Sequence, residues 1–281
     1  PTLITIEATG GYEREVAVTL ANQSWSVAVV NPRHARSFAR ALGLLAKTDR
    51  LDAAMLALFG ERVRPPARPP KPEDLQRLDA LVSRRRQMIT MRTMELNRRK
   101  QALPDVQRSL DEHLTWLTGQ IDAIDAQLQT LIEASPLWQQ EAKLLQDVPG
   151  VGPGLTQVLI ARLPELGQIP IKKLTALVGL APLNRDSGTV RGRRTIWGGR
   201  TDVRCALYMS TISAIRWNPV IQPYYQRLRD AGKLPKVAIT ACMRKLLTIL
   251  HAIVRDRTPW DQHFSDTSHG PACDDSGPET V

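Results

Sequence analysis

Thr2-Leu3-Ile4-Thr5-Ile6-Glu7-Ala8-Thr9-Gly10-Gly11 decides the first half of the fold. Its apolar and β-branched side chains make residues 2–7 a short buried strand, and the glycine pair ends it. A helical stretch follows from about Tyr12 to Asn22, and Trp25-Ser26-Val27-Ala28-Val29-Val30 reads as a second strand. Strand, helix, strand in that order makes the opening segment α/β. Open α/β sheets present functional groups at the carboxyl ends of their strands, which is where Glu7 stands, facing a crevice.

Moving outward, a second helix is expected from about Thr48 to Arg62, because Leu51, Met55, Leu58 and Phe59 fall on one face. At its start, Lys47-Thr48-Asp49-Arg50-Leu51-Asp52 sets two carboxylates three residues apart on one face, close enough to hold one divalent cation. The same residues also serve a plainer purpose, with Thr48 capping the helix, Asp49 answering its dipole and Asp52 solvated. Both readings stay open. Residues 63–72 then hold five prolines and three cations, the composition of an extended polyproline spacer and of a domain boundary.

Past the spacer, Leu75, Leu78, Val82, Ile89 and Leu96 fit a heptad register interrupted by Arg85 and Arg92. Leu103-Pro104 breaks the helix. Its successor carries Leu110, Leu114, Leu117, Ile121, Ile124, Leu128 and Leu131, the spacing of a coiled-coil seam. A seam does not say whose helix it meets, so a self-contained hairpin and a dimerising arm are equally expected. The chain therefore divides into an α/β domain over 1–62, a linker over 63–72, a helical coiled-coil arm over 73–143, a mainly α domain over 144–263 and a tail without a fold over 264–281.

In the last domain, Val148-Pro149-Gly150-Val151-Gly152-Pro153-Gly154 joins two helical segments by a tight turn, the pattern of a helix-hairpin-helix. Backbone N–H groups there, around Gly150 and Gly152, can hold a DNA phosphate without reading bases. An ordinary helix connection explains the same glycines. Further on, residues 185–204 carry six arginines against two aspartates. The planar fork of arginine suits phosphate, which makes Arg191, Arg193, Arg194, Arg200 and Arg204 candidate nucleic-acid contacts. Ser187, beside Gly188, has a hydroxyl open to an incoming phosphodiester, although serines in such loops commonly serve only the turn. Helices over roughly 202–215 and 236–255 complete the domain.

The 281 residues, 42% of them apolar, suffice for two folded cores. With 38 Lys plus Arg against 28 Asp plus Glu, the net charge of +10 favours phosphate-rich polymers as partners. No unbroken apolar run approaches ~18 residues and no signal peptide opens the chain, so a cytoplasmic protein without a membrane partner is expected. Cys205, Cys242 and Cys273 form no CxxC pair and the five histidines show no metal spacing, which argues against zinc and disulfides. The chain opens on Pro1 and enters a strand at once, so its natural start is expected upstream.

Taken together, Ile6-Glu7-Ala8-Thr9-Gly10-x-Tyr12, Val30-Asn31-Pro32 and Lys47-Thr48-Asp49-x-x-Asp52-Ala53 resemble the RuvC-like, ribonuclease H-like domain of bacterial insertion-sequence transposases, the bridge-RNA-guided recombinases. Pro149-Gly150-Val151-Gly152, Gly179-Leu180-Ala181-Pro182, Ser187-Gly188, Arg204-x-Ala206-Leu207-Tyr208, Gly232-Lys233 and Arg244-Lys245-Leu246 resemble their C-terminal transposase domain. The likeness spans about residues 3–262. It implies that Glu7, Asp49 and Asp52 are three members of a DEDD site for Mg2+ or Mn2+, and that Ser187 forms a transient phosphoserine link to DNA. It further implies a structured guide RNA that pairs with donor and target DNA, and a coiled coil that joins protomers into a dimer or tetramer. The family's first aspartate lies on a strand upstream of Glu7, so the metal site is incomplete over these residues. Where the family often has lysine, this chain has Trp197-Gly198-Gly199. Two other readings compete: a RuvC-like two-metal nuclease that needs no serine, and an inactive nucleic-acid-binding remnant.

Overall fold

A computed structural model of the chain describes residues 3–44, 46, 48–183 and 195–261. The expected tail over 264–281 lies outside them, as do Ser187, Arg191, Arg193 and Arg194. The chain divides into two compact units, Pro1–Glu73 and Asp74–Val281.

In the first unit, β1 (Ile4–Glu7) leads through α1 (Glu13–Asn22) to β2 (Val27–Val30). The strands pair in parallel, Ile4 opposite Val27 and Glu7 opposite Val30. A parallel pair needs a crossover, and α1 supplies it. Glu13 closes the turn after β1 by accepting the N–H groups of Thr9 and Gly11, each at 2.9 Å. Next come α2 (Pro32–Ala41) and α3 (Asp49–Val63). The polar sequence of α2 hid it from apolar periodicity, but its cap was legible: the Asn31 side chain accepts the Arg33 N–H at 2.9 Å and Pro32 takes the first helical position. The core gathers on this side of the sheet, where Val30, Ala35, Ala39, Met55 and Phe59 are buried and Phe38 meets Phe59 edge-on. By contrast α1 buries no side chain, and Val16 and Val29 stay exposed. The proline-rich stretch is tied rather than free, since the Arg68 N–H donates to the Val27 carbonyl at 3.2 Å along the edge of β2.

Among its described residues the second unit is helical apart from one two-residue strand pair. It opens with α4 (Glu73–Arg99) and α5 (Pro104–Ala134), an antiparallel hairpin clasped by Arg85 on Asp125 and Arg99 on Asp111. Leu117, Ile121, Ile124, Leu128 and Ile132 of α5 are buried against Leu78, Val82 and Met88 of α4, with Ala142, Ile160 and Ala161 from the next two helices. This part of the repeat is therefore satisfied within one chain. Toward the tip the register on α4 departs from the heptad expectation: Glu95 turns inward, accepting from Arg98 at 2.6 Å and lying 3.6 Å from His113, and Leu96 is left exposed. Buried charge held by two partners, rather than apolar spacing, sets the inward face there.

After α5, Ser135 caps a further helix, α6 (Pro136–Gln146), by accepting the Trp138 N–H. Then follow α7 (Pro153–Arg162), α8 (Ile171–Val178), β3 (Pro182–Leu183), β4 (Thr195–Ile196), α9 (Thr201–Trp217), α10 (Ile221–Asp230) and α11 (Pro235–Asp256). By length and composition α11 could cross a membrane, but most of its apolar window is buried, with Leu246, Leu250 and Ile253 fully enclosed against neighbouring helices. It is the central core helix of this unit.

One buried group of that helix makes stability pH-dependent. His251 Nδ1 accepts the Gly167 N–H at 3.0 Å, which requires the unprotonated nitrogen. Burial, with the Arg255 charge adding to it and Asp256 opposing, pulls its pKa below the ordinary 6.5. Above about pH 6.5 the folded and unfolded chains are alike at this site. Below it the unfolded chain takes up a proton that the folded one refuses, so stability falls until the folded pKa is passed. The melting temperature should drop between about pH 7 and about pH 5, and His251→Gln, whose amide oxygen can still accept, should flatten that drop. An equal slope in both proteins would remove His251 as the cause.

Candidate functional site

Glu7 ends β1, half-buried, and Asp49 and Asp52 occupy the first turn of α3, the former exposed and the latter half-buried. Thr48 does cap this helix, its hydroxyl accepting the Leu51 N–H at 3.3 Å. Three carboxylates are hard oxygen donors of the kind Mg2+ and Mn2+ take. Among the described residues, however, no three Asp, Glu, His or Cys side chains lie close enough to hold an ion. The donor chemistry fits a divalent metal, and the closed geometry is absent.

The glycine turn joins α6 to α7 as a helix, turn, helix. Gly150 has φ +93°, and a Cβ there would lie 2.5 Å from the Cα of Ala214 on α9. The turn is also held by Asn218, fully buried, whose amide donates to the Pro149 carbonyl at 3.0 Å and whose oxygen accepts the Val220 and Ile221 N–H groups. Gly150 is thus demanded by helix packing, while Gly152 precedes Pro153 at the α7 N-terminus with open space where a Cβ would stand. Gly150→Ala should lower unfolding stability by roughly 2–4 kcal/mol, from overpacking together with left-handed strain. Urea melting measures this; a variant of normal stability with weakened DNA binding would instead make Gly150 a phosphate contact.

The segment 184–194, which holds Ser187, is bounded by β3 and β4. These pair antiparallel, Pro182 opposite Ile196 and Leu183 opposite Thr195, so the residues that flank the segment are side by side. Beneath them, α8 ends at Gly179, with the Gly179 and Leu180 N–H groups returning to the Ala176 and Thr175 carbonyls. The returning chain passes Gly198 and Gly199 against Gly179, backbone on backbone, closer than any side chain would allow.

Two of the arginines expected to meet phosphate are engaged here. Arg200 forks onto Glu165 at 2.5 and 2.6 Å and donates to the Arg162 carbonyl at 2.7 Å. Arg204 donates to the Val178 carbonyl at 3.1 Å and to the Gly198 carbonyl at 2.5 Å. Arg162 in turn binds Asp79 at 2.7 Å, and also Ser83 and Asp202, tying α4 to α7 and α9. Arginine density alone does not reveal these partners; Glu165 lies 35 residues from Arg200, and Asp79 and Asp202 lie 83 and 40 residues from Arg162, too distant in sequence to be paired. As for other nucleophiles, the Cys242 side chain is fully enclosed in the core, and burial, against the opposing charge of Lys245, pushes its thiol up to about 11.

Residues 1–107 match a family described as "Transposase", and residues 142–226 match one described as "Transposase IS116/IS110/IS902 family". The chain is 32% identical over 272 residues to the pilin gene-inverting protein of Moraxella bovis, an alignment covering 94% of this chain and 83% of that one. The protein of the same name from Moraxella lacunata matches over the same shares, again at 32% identity. The insertion element IS110 43.6 kDa protein of Streptomyces coelicolor is 30% identical over 158 residues, or 56% of this chain and 38% of that one.

Proposed function

This chain belongs to the IS116/IS110/IS902 family of transposases, and on that premise we propose that it cleaves and rejoins DNA through Ser187. The observation that carries the reading is the similarity along 83% of a protein named for inverting a gene. Inversion requires each broken strand to be joined again, and a covalent intermediate preserves the bond energy that joining needs. The Ser187 Oγ attacks a DNA phosphorus and loses its proton to solvent; an oxygen–phosphorus ester forms and the DNA hydroxyl leaves, taking up a proton. In the second half the hydroxyl of a new strand loses its proton and attacks that phosphorus, the Ser187 O–P bond breaks, and the serine oxygen takes up a proton. Arg191, Arg193 and Arg194, in the same segment, are assigned to stabilise the phosphoryl oxygens during both attacks.

Glu7, Asp49 and Asp52 are assigned to a divalent ion, Mg2+ or Mn2+, which when bound would supply charge stabilisation at phosphate. Magnesium is commonly held by one or two carboxylates plus substrate phosphates, so three carboxylates that form no closed cluster are compatible with an ion completed by DNA. Sequence choice is assigned to a structured RNA pairing with donor and target DNA, which leaves the protein to recognise backbone and shape. A second copy, meeting the tip of the α4–α5 hairpin where Leu96, Leu103 and Trp116 are exposed, completes a dimer or tetramer acting in the cytoplasm. The reading is tested by placing the reading frame with its natural flanking DNA on a plasmid in a bacterial host. Sealed junctions at new sites are expected; broken ends without junctions would replace the recombinase by a nuclease.

A further inference from the structure

We infer that Arg204, acting on the Gly179–Gly199 backbone contact, is a positioning residue for strand exchange: it holds in one fixed register the chain that leads into the Ser187 segment and the chain that follows it. The inference rests on the Ser187 reading for its chemical consequence. Its geometry rests on described residues alone.

The segment 184–194 leaves from β3 and returns at β4, and a two-residue strand pair is too short to fix its own register. Something below must do so. The outgoing chain is anchored by the end of α8, and the returning chain by the start of α9. Between them a single guanidinium nitrogen of Arg204 bridges both, taking the Val178 carbonyl from the outgoing side and the Gly198 carbonyl from the returning side. The Arg200 N–H adds a backbone bond across the same gap, to the Leu177 carbonyl at 2.9 Å. Side chains are excluded from the junction on both sides. A Cβ on Gly179 would stand 2.5 Å from that Arg204 nitrogen and would overlap the Gly198 oxygen, and one on Gly199 would stand 2.5 Å from the Val178 carbonyl carbon. The carbonyl oxygens that meet there are half-buried acceptors that need a donor, and one terminal NH2 group of the Arg204 guanidinium has two N–H bonds, one for each. Arg204 is therefore occupied within the protein, and a contact to DNA phosphate would require it to abandon these carbonyls.

Positioning and phosphate binding predict different measurements. Replacing a phosphate-binding arginine weakens binding to any duplex and lowers the salt slope of binding by about one. Loss of a clamp leaves both unchanged and loosens the junction. The test uses the full chain with Arg204→Gln and Arg204→Lys, a short duplex DNA of arbitrary sequence as the binding probe, amide exchange at Arg200, and transposition of the protein's own element in cells. For Arg204→Gln, exchange at the Arg200 amide should quicken about tenfold or more, because its bond spans the junction. Duplex affinity and salt slope should stay as in the unaltered protein. Transposition should fall roughly 10–100-fold, the loss expected when a reacting group is displaced by about an ångström. Arg204→Lys should recover part of the transposition. Gly199→Ala, which disturbs the same junction without removing charge, should reproduce the loss. A salt slope reduced by about one with unchanged amide exchange would overturn the clamp and make Arg204 a phosphate contact. Ser187→Ala runs in parallel: ordinary transposition by that variant would overturn the serine assignment alone, since exchange and salt slope still decide the clamp.

Discussion

Ser187→Ala is expected to bind DNA as the unaltered protein does and to lose recombination by about a thousandfold or more, because removing a nucleophile removes the whole covalent route rather than one stabilising contact. Affinity should survive because duplex binding comes mainly from cations on phosphates, and the substitution changes no charge. Ser187→Cys should keep a trace of activity: a thiolate is nucleophilic, but sulfur differs from oxygen in size and acidity. Arginine substitutions in the same segment, Arg193→Ala or Arg194→Ala, should behave in the opposite sense. They should weaken binding and flatten its salt dependence while any DNA adduct still forms through Ser187. The pair of results separates the group that reacts from the groups that hold its substrate. Recombination by Ser187→Ala at the normal frequency would place the chemistry elsewhere.

The second large effect concerns the carboxylates. Alanine at Glu7, Asp49 or Asp52 should reduce strand cleavage roughly 100-fold or more, since each would remove a negatively charged oxygen from an ion that stabilises charge at the reacting phosphate. Binding to duplex DNA should hold or tighten slightly, because each substitution removes a negative charge from a basic protein. The capping alternative predicts something else at Asp49. There the loss would be about 0.3–1 kcal/mol of helix stability, from the dipole alone, with cleavage unaffected. Thr48→Ala provides the control: its hydroxyl caps α3 through Leu51, so it should cost about 1 kcal/mol of stability without touching the metal dependence. Normal Mg2+-dependent cleavage by Asp52→Ala would withdraw the metal assignment.

Much of the first unit was legible because its signals are local. The apolar run before Glu7, the turn glycines after it and the spacing of Met55 and Phe59 each report on their own neighbourhood, and β1, α1, β2 and α3 follow from them. Apolar spacing carries no trace of α2 because Pro32–Ala41 is polar, although Asn31-Pro32 is a strong start signal. On the arm, the repeat from Leu117 to Leu128 marked the buried face of α5, but spacing could not say that α4, α6 and α7 of the same chain would cover it. The inward turn of Glu95 was invisible for a related reason: beside Arg98 on its own helix it meets His113, eighteen residues on and across the hairpin. The candidate site divides in the same way. Which residue types gather in residues 185–204 could be read directly. What Arg200 and Arg204 bind could not, because Glu165 and the Val178 carbonyl reach them only through the fold.

The central claim is that strand exchange passes through an ester on one serine, and the most direct measurement is the chemical identity of that attachment. The protein, with its RNA, Mg2+ and element DNA, is stopped by denaturation, digested with nuclease and protease, and the residual nucleotide is located on its peptide by mass spectrometry. The account predicts a phosphodiester remnant on the peptide containing Ser187, and no adduct in Ser187→Ala. A remnant on another residue, or efficient recombination with no covalent adduct, would contradict it.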